Sequence, residues 1–165
     1  MKAALILLVI LLSAAHCQAA ESLDSLFGDK EAQSVVAKPT KVQAYRLADH
    51  SFYKPTAKEY KVIAGPVAVD DALAKSVGQL LLDEKSYLWD VGKACDPIFG
   101  VRLEFIQGDK STNVCFCFEC DILQVYVDGK PVGSEDFDDV RPQLVKLMQK
   151  IFPEDKVIQG LKDKQ

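Results

Sequence analysis

Hydrophobic and polar positions alternate most regularly between Phe99 and Val132. Val101, Leu103 and Phe105 interleave with Arg102 and Glu104, and Val114, Phe116 and Phe118 interleave with Cys115 and Cys117. A period of two marks strands that turn one face inward. Gly108-Asp109 stands between the two runs and suits a two-residue type II′ turn. That turn fixes the pairing: Gln107 faces Lys110, Phe105 faces Thr112, Leu103 faces Val114 and Val101 faces Phe116. The large apolar residues then share one face, and a slip of one residue would destroy the agreement. Asp128-Gly129 predicts a second hairpin, of type I′, joining Ile122–Val127 to Lys130–Val132. Pro131 has no N–H to donate, which predicts a short last strand at an edge.

Lys41–Leu47 and Tyr60–Ala64 are rich in Val, Ile and Tyr and predict two more strands, the second ended by Gly65-Pro66. The period changes to 3.6 in two places. Asp70 can cap a helix reaching about Asp83, with Leu73, Val77, Leu80 and Leu81 on one face. A second helix, from about Asp138 to Phe152, carries Val140, Leu144, Leu147, Met148 and Ile151. Glu135, Asp136, Asp138 and Asp139 gather at its start, where a helix dipole favours negative charge, and they lack the spacing of a calcium loop. Pro153 opens a short final helix through Leu161, and Trp89 is expected in the core. Strands and helices of this size predict an α+β fold: an antiparallel β meander with helices packed on one face, in a single domain over 41–165.

The beginning of the chain reads differently. Lys2 precedes the apolar run Ala3–Leu12, and small residues follow, the pattern of an export signal over 1–20. The run is too short to span a bilayer, so no transmembrane span is expected in the mature chain. The protein is then exported, periplasmic or secreted. Cys17 offers an alternative, a lipid anchor, although bulky His16 stands where such processing wants a small residue. Residues 21–40 are polar and aperiodic and predict a flexible linker, with Leu23, Leu26 and Phe27 a sticky spot within it.

Charge narrows the function. The 165 residues carry 20 Lys+Arg against 24 Asp+Glu, and losing Lys2 with the signal leaves 19 against 24. An acidic chain without a basic stripe excludes a nucleic-acid module. The roughly 145 residues left after cleavage are enough to bury a core without staples or metal.

Four cysteines remain in the mature chain: Cys95, Cys115, Cys117 and Cys120. Outside the cytoplasm they favour disulfides. The predicted register puts Gly100 opposite Cys117, so the chain just before Gly100 lies near the strand end that holds Cys117 and Cys120. Cys95 can reach either one. A Cys95–Cys120 bridge is the first expectation and Cys95–Cys117 the second, with Pro97 helping the chain bend. The alternative is a thiol site at Cys117-Phe118-Glu119-Cys120 with Cys95, either thiol-redox or a metal centre for Zn or Cu(I) that would also draw on Cys115. Thioredoxin-type activation needs the motif to open a helix, and Ile122–Val127 reads as strand.

The segment Cys95-Asp96-Pro97 followed by Cys117-Phe118-Glu119-Cys120 resembles that of small uncharacterised exported bacterial proteins with a Cys-x-Pro segment and a later Cys-Phe-Glu-Cys. The resemblance covers about a quarter of the chain from Asp96 on and implies no activity. It singles out Cys95, Cys117 and Cys120, with Cys115 the extra cysteine.

Enzyme chemistry finds little purchase. After cleavage His50 is the one histidine, in a polar loop beside Asp49 and Ser51. No phosphate-binding glycine loop, nucleophile elbow or histidine metal motif is present. The sequence therefore predicts a non-catalytic exported domain without a cofactor. It would be stabilised by a disulfide and bind a protein or envelope component, on a sheet face that includes Arg102 and Glu104.

Overall fold

Gly108 carries the positive φ, 63°, that the first hairpin requires. Around it β3 (Val101–Gln107) and β4 (Lys110–Cys117) pair antiparallel. Val101 faces Phe116, Leu103 faces Val114, Phe105 faces Thr112 and Gln107 faces Lys110, the register expected from the alternation. Asp128 and Gly129 both take positive φ, 48° and 82°, as a type I′ turn demands. They join β5 (Ile122–Val127) to β6 (Lys130–Asp136). The computed structural model describes residues 22–48, 52–89 and 91–163. The segment expected to be an export signal, Cys17 and His50 lie outside the described residues.

β1 (Lys41–Leu47) pairs with β3, and β2 (Val62–Ala68) pairs with β1. One six-stranded antiparallel sheet results, in the order β2-β1-β3-β4-β5-β6. Two strands differ in extent from expectation, and β2 starts at Val62 instead of Tyr60. β2 runs through Gly65-Pro66 to Ala68, because at the sheet edge a proline forfeits only the side of the ladder that has no neighbour. β6 runs to Asp136 instead of stopping at Val132, and it is an edge strand as expected.

Helices α3 (Asp71–Leu81) and α4 (Arg141–Ile151) pack on the face that carries Leu103, Val114 and Phe116. Asp70 caps α3 by accepting the Leu73 amide at 2.9 Å. A short α5 (Lys156–Gln159) closes the chain against α4, its first amides capped by Asp155. Trp89 is partly buried against this core, while Tyr87 beside it is buried fully.

The segment expected to be a flexible linker is structured. α1 (Leu23–Phe27) and α2 (Lys30–Ala37) bury Leu26, Phe27, Val35 and Val36 in the main core. Ser22 caps α1 and Asp29 caps α2. The folded domain therefore begins before residue 41. Gly133 explains why: a Cβ there would lie 2.6 Å from the Leu26 Cα, so α1 rests directly on the backbone of β6. Only a residue without a side chain leaves that room.

Candidate functional site

The sheet's second face carries Tyr45, Arg102, Glu104, Cys115, Cys117, Gln124 and Tyr126. Sequence alone made it a free surface; the structure covers it. Arg102 is 6% exposed, and Cys115 and Cys117 are sealed in a second cluster with Leu47, Ala57, Tyr60, Phe99, Cys120 and Tyr126. Arg102 thus serves the interior instead of a binding surface, and Glu104 is half-buried and engaged by Tyr45. The Arg102 guanidinium lies 4.1 Å from the Tyr45 ring centre and donates to the Ala57 carbonyl. The Tyr45 hydroxyl donates to Glu104 Oε2 at 2.9 Å.

The chain between β1 and β2 is pinned over this face by a closed hydrogen-bond ring. The Lys54 amide donates to the Tyr60 hydroxyl at 3.2 Å, the hydroxyls of Tyr60 and Tyr126 meet at 2.9 Å, and Tyr126 donates to the Lys54 carbonyl at 2.9 Å. Each hydroxyl donates once and accepts once, so both buried phenols are satisfied. Burial raises both above the ordinary tyrosine range and keeps them neutral.

Cys95 is joined to Cys120, with their Cα atoms 6.4 Å apart. Phe118–Asp121 form the turn between β4 and β5, and Asp121 takes a positive φ of 56°. That turn brings Cys120 beside Cys95, which is exposed on an irregular stretch over 91–100. Cys115 and Cys117 are buried free thiols. Burial pushes the Cys115 thiol well above its ordinary value, although Arg102 pulls the other way. The four sulfurs weighed as a Zn or Cu(I) set are therefore divided between one bridge and two buried thiols. Among the described residues no group of three or more His, Cys, Asp or Glu is arranged to hold a metal.

Lys93 organises the surroundings of the bridge. Its ammonium lies 2.6 Å from Asp136 and 2.9 Å from Asp138, and it donates to the Cys120 carbonyl at 2.7 Å. It ties the 91–100 stretch both to the end of β6 and to the cysteine turn. Burial alone would lower the Lys93 pKa, but the bonds to Asp136 and Asp138 more than offset it, and the net shift is upward. The acidic residues read as favouring a helix start thus have a second task. Asp136 accepts the Asp138 amide at 2.9 Å, as a cap would, while its charge and that of Asp138 meet Lys93. Deeper in, Arg141 pairs with buried Asp121 and donates to the Phe118 carbonyl at 2.6 Å, holding the cysteine turn against α4.

Beside this strap an open cleft of about 490 Å³ lies between the 91–97 stretch and strands β5 and β6. Tyr53, Val91, Pro97 and Ile122 give it apolar walls, and Lys93, Gln124, Ser134 and Asp136 bring polar groups to it. Tyr53 and Val91 are 42% and 47% exposed, unusual for such side chains. Sequence reasoning found the bridge and missed Lys93, Tyr53 and the cleft. Lys93 sits in a stretch with no period, and its partners are 43 and 45 positions away.

No family model and no curated protein matches the chain. Among solved structures, a crystal structure described as a "putative lipoprotein" from Clostridium perfringens is similar at 14% identity and a TM-score of 0.49, covering 82% of this chain and all of that one.

Proposed function

We propose that the chain is an exported, non-catalytic binding domain whose ligand seat is the cleft beside the Cys95–Cys120 bridge. The observation that carries the reading is the cleft's composition: exposed Tyr53 and Val91 stand over a floor with a few fixed polar groups. Binding sites are typically concave and largely apolar, with a small number of placed polar side chains. An open trough suits a segment of an envelope protein that lays one aromatic or branched side chain between Tyr53 and Ile122. The disulfide supports an oxidising compartment outside the cytoplasm. In the same reading it is structural, since it fixes the cleft wall at Cys95.

A set of short peptides, each with a single aromatic side chain, tests this by amide chemical-shift mapping on labelled protein. Shifts confined to Lys93, Gln124, Ser134 and their neighbours, and abolished by Val91→Glu, are the expected result. Shifts scattered over other surfaces, or unchanged by Val91→Glu, would sink the assignment.

A further inference from the structure

Strand β2 is the other unusual surface. From Val62 to Val69 it carries no charged side chain, and Val62 and Ile63 are 40% and 56% exposed. It is an edge strand, with β1 on one side only. Natural edges are usually blunted with charge or covered. Both edges carry a proline, Pro66 in β2 and Pro131 in β6, and β2 is also bulged against β1, but β6 is covered as well: the Leu88 amide donates to the Asp136 carbonyl at its far end and α1 rests on Gly133.

Backbone direction shows what β2 has to offer. The Lys61 carbonyl accepts the Ala48 amide at 2.9 Å and the Val69 amide donates to the Val42 carbonyl at 3.0 Å, so both residues turn toward β1. Val62 and Ala68, each next to one of these residues, turn their amide and carbonyl groups outward by local alternation, and the strand is bulged between them where it passes residues 44–47. Val62 and Ala68 lie three residues on either side of Gly65. An antiparallel partner related by a two-fold axis at Gly65 would set Val62 of one copy against Ala68 of the other, twice.

Charge agrees with that arrangement. Lys61 stands just before the uncharged run, and Asp70 and Asp71 stand just after it. All three are exposed. The same two-fold brings Lys61 of each copy to the Asp70-Asp71 end of the other, whereas a parallel neighbour would stack like charges. We infer that β2 is the contact edge of a two-fold homodimer, in which the two sheets join through antiparallel β2–β2 pairing. Such a contact is self-complementary and closed, so it uses the edge once and does not propagate. Pro66 has no N–H to give a partner, so the pairing rests on Val62 and Ala68 at the two ends of the contact.

Sedimentation equilibrium of the full chain, produced in an exporting host, tests the inference together with one variant. Twice the single-chain mass is expected, and Ile63→Lys, at an exposed position, should weaken the dimer ~10-fold or more. Carbodiimide coupling of a mixture of light and ¹⁵N-labelled copies should join Lys61 of one isotopic form to Asp70 or Asp71 of the other. A single-chain mass up to roughly 100 µM overturns the proposal. So does a dimer indifferent to Ile63→Lys, or coupling that never crosses between isotopic forms.

Discussion

Lys93 and Asp136 meet at 2.6 Å with unequal access to water: the carboxylate side chain is 2% exposed and the ammonium side chain 23%. The buried partner depends on the accessible one. Lys93→Met should therefore cost about 1–3 kcal/mol, because it leaves Asp136 charged under cover, with the partial exposure of Lys93 keeping the loss below that of a fully buried pair. Asp136→Asn in the Lys93→Met background should recover part of the loss by removing the stranded charge. Urea denaturation of the wild type, the single variant and the double variant measures both. A double variant less stable than Lys93→Met alone would remove this account of the pair.

The Cys95–Cys120 bridge closes a loop with a sequence separation of 25. The chain-entropy relation gives about 3.5 kcal/mol for such a loop. A Cys95→Ser/Cys120→Ser variant should be destabilised by about that amount, with the sheet intact by circular dichroism. Alkylation mass spectrometry provides a parallel check. Native protein should take no label at Cys115 or Cys117, and unfolded, unreduced protein should take a label at each. Labelling of Cys95 without reductant would contradict the bridge.

Gly133→Ala puts a methyl group where the Leu26 backbone already sits. The crowding should cost about 1–3 kcal/mol and loosen α1 and α2 together, since α1 rests on β6 and the two helices touch. Limited proteolysis shows the effect directly: the wild type should resist cutting over 22–40 and the variant should be nicked there first. A wild type cut readily in that segment would restore the linker reading.

Asp155 joins the end of the chain to β1. It pairs with the Arg46 guanidinium at 2.6 Å and caps α5 through the amides of Val157 and Ile158. Burial pushes its carboxyl up, but the Ile158 amide and Arg46 pull it further down, so the net position is below the usual 3.8. A depressed carboxyl pKa contributes stability that is full above the unfolded value and lost as pH falls through the folded one. Stability should therefore drop as the pH goes below about 3.8. Asp155→Asn should flatten that part of the profile while lowering stability at neutral pH. Urea midpoints taken in steps from neutral to acid pH decide it, and parallel acid limbs for the two proteins would exclude Asp155 as a contributor.

The first hairpin could be read from the chain because two independent signals agreed. The alternation in Val101–Phe105 and Val114–Phe118 placed the apolar residues, and Gly108 placed the turn. That register in turn put Cys95 near Cys120. The second face was hidden because its residues are ambivalent. Arginine, tyrosine and cysteine suit either a surface or a satisfied interior, and the choice depends on Tyr60 and Phe99, which arrive from distant segments. α1 was hidden for a different reason. Five residues carry too little periodicity to show a helix, and what holds them is a glycine more than a hundred positions later. The cleft was invisible because it is a relation between an irregular stretch and two strand ends, with no local pattern on either side.

β4 from Thr112 to Cys117 is buried at every position. A strand with no outward side has no spare residues on which sequence can drift. Variation among relatives of this chain should therefore collect at the periphery, in the exposed residues on either side of Lys93, leaving the middle of the sheet nearly fixed in volume. A change in what the protein recognises can then occur without a new fold.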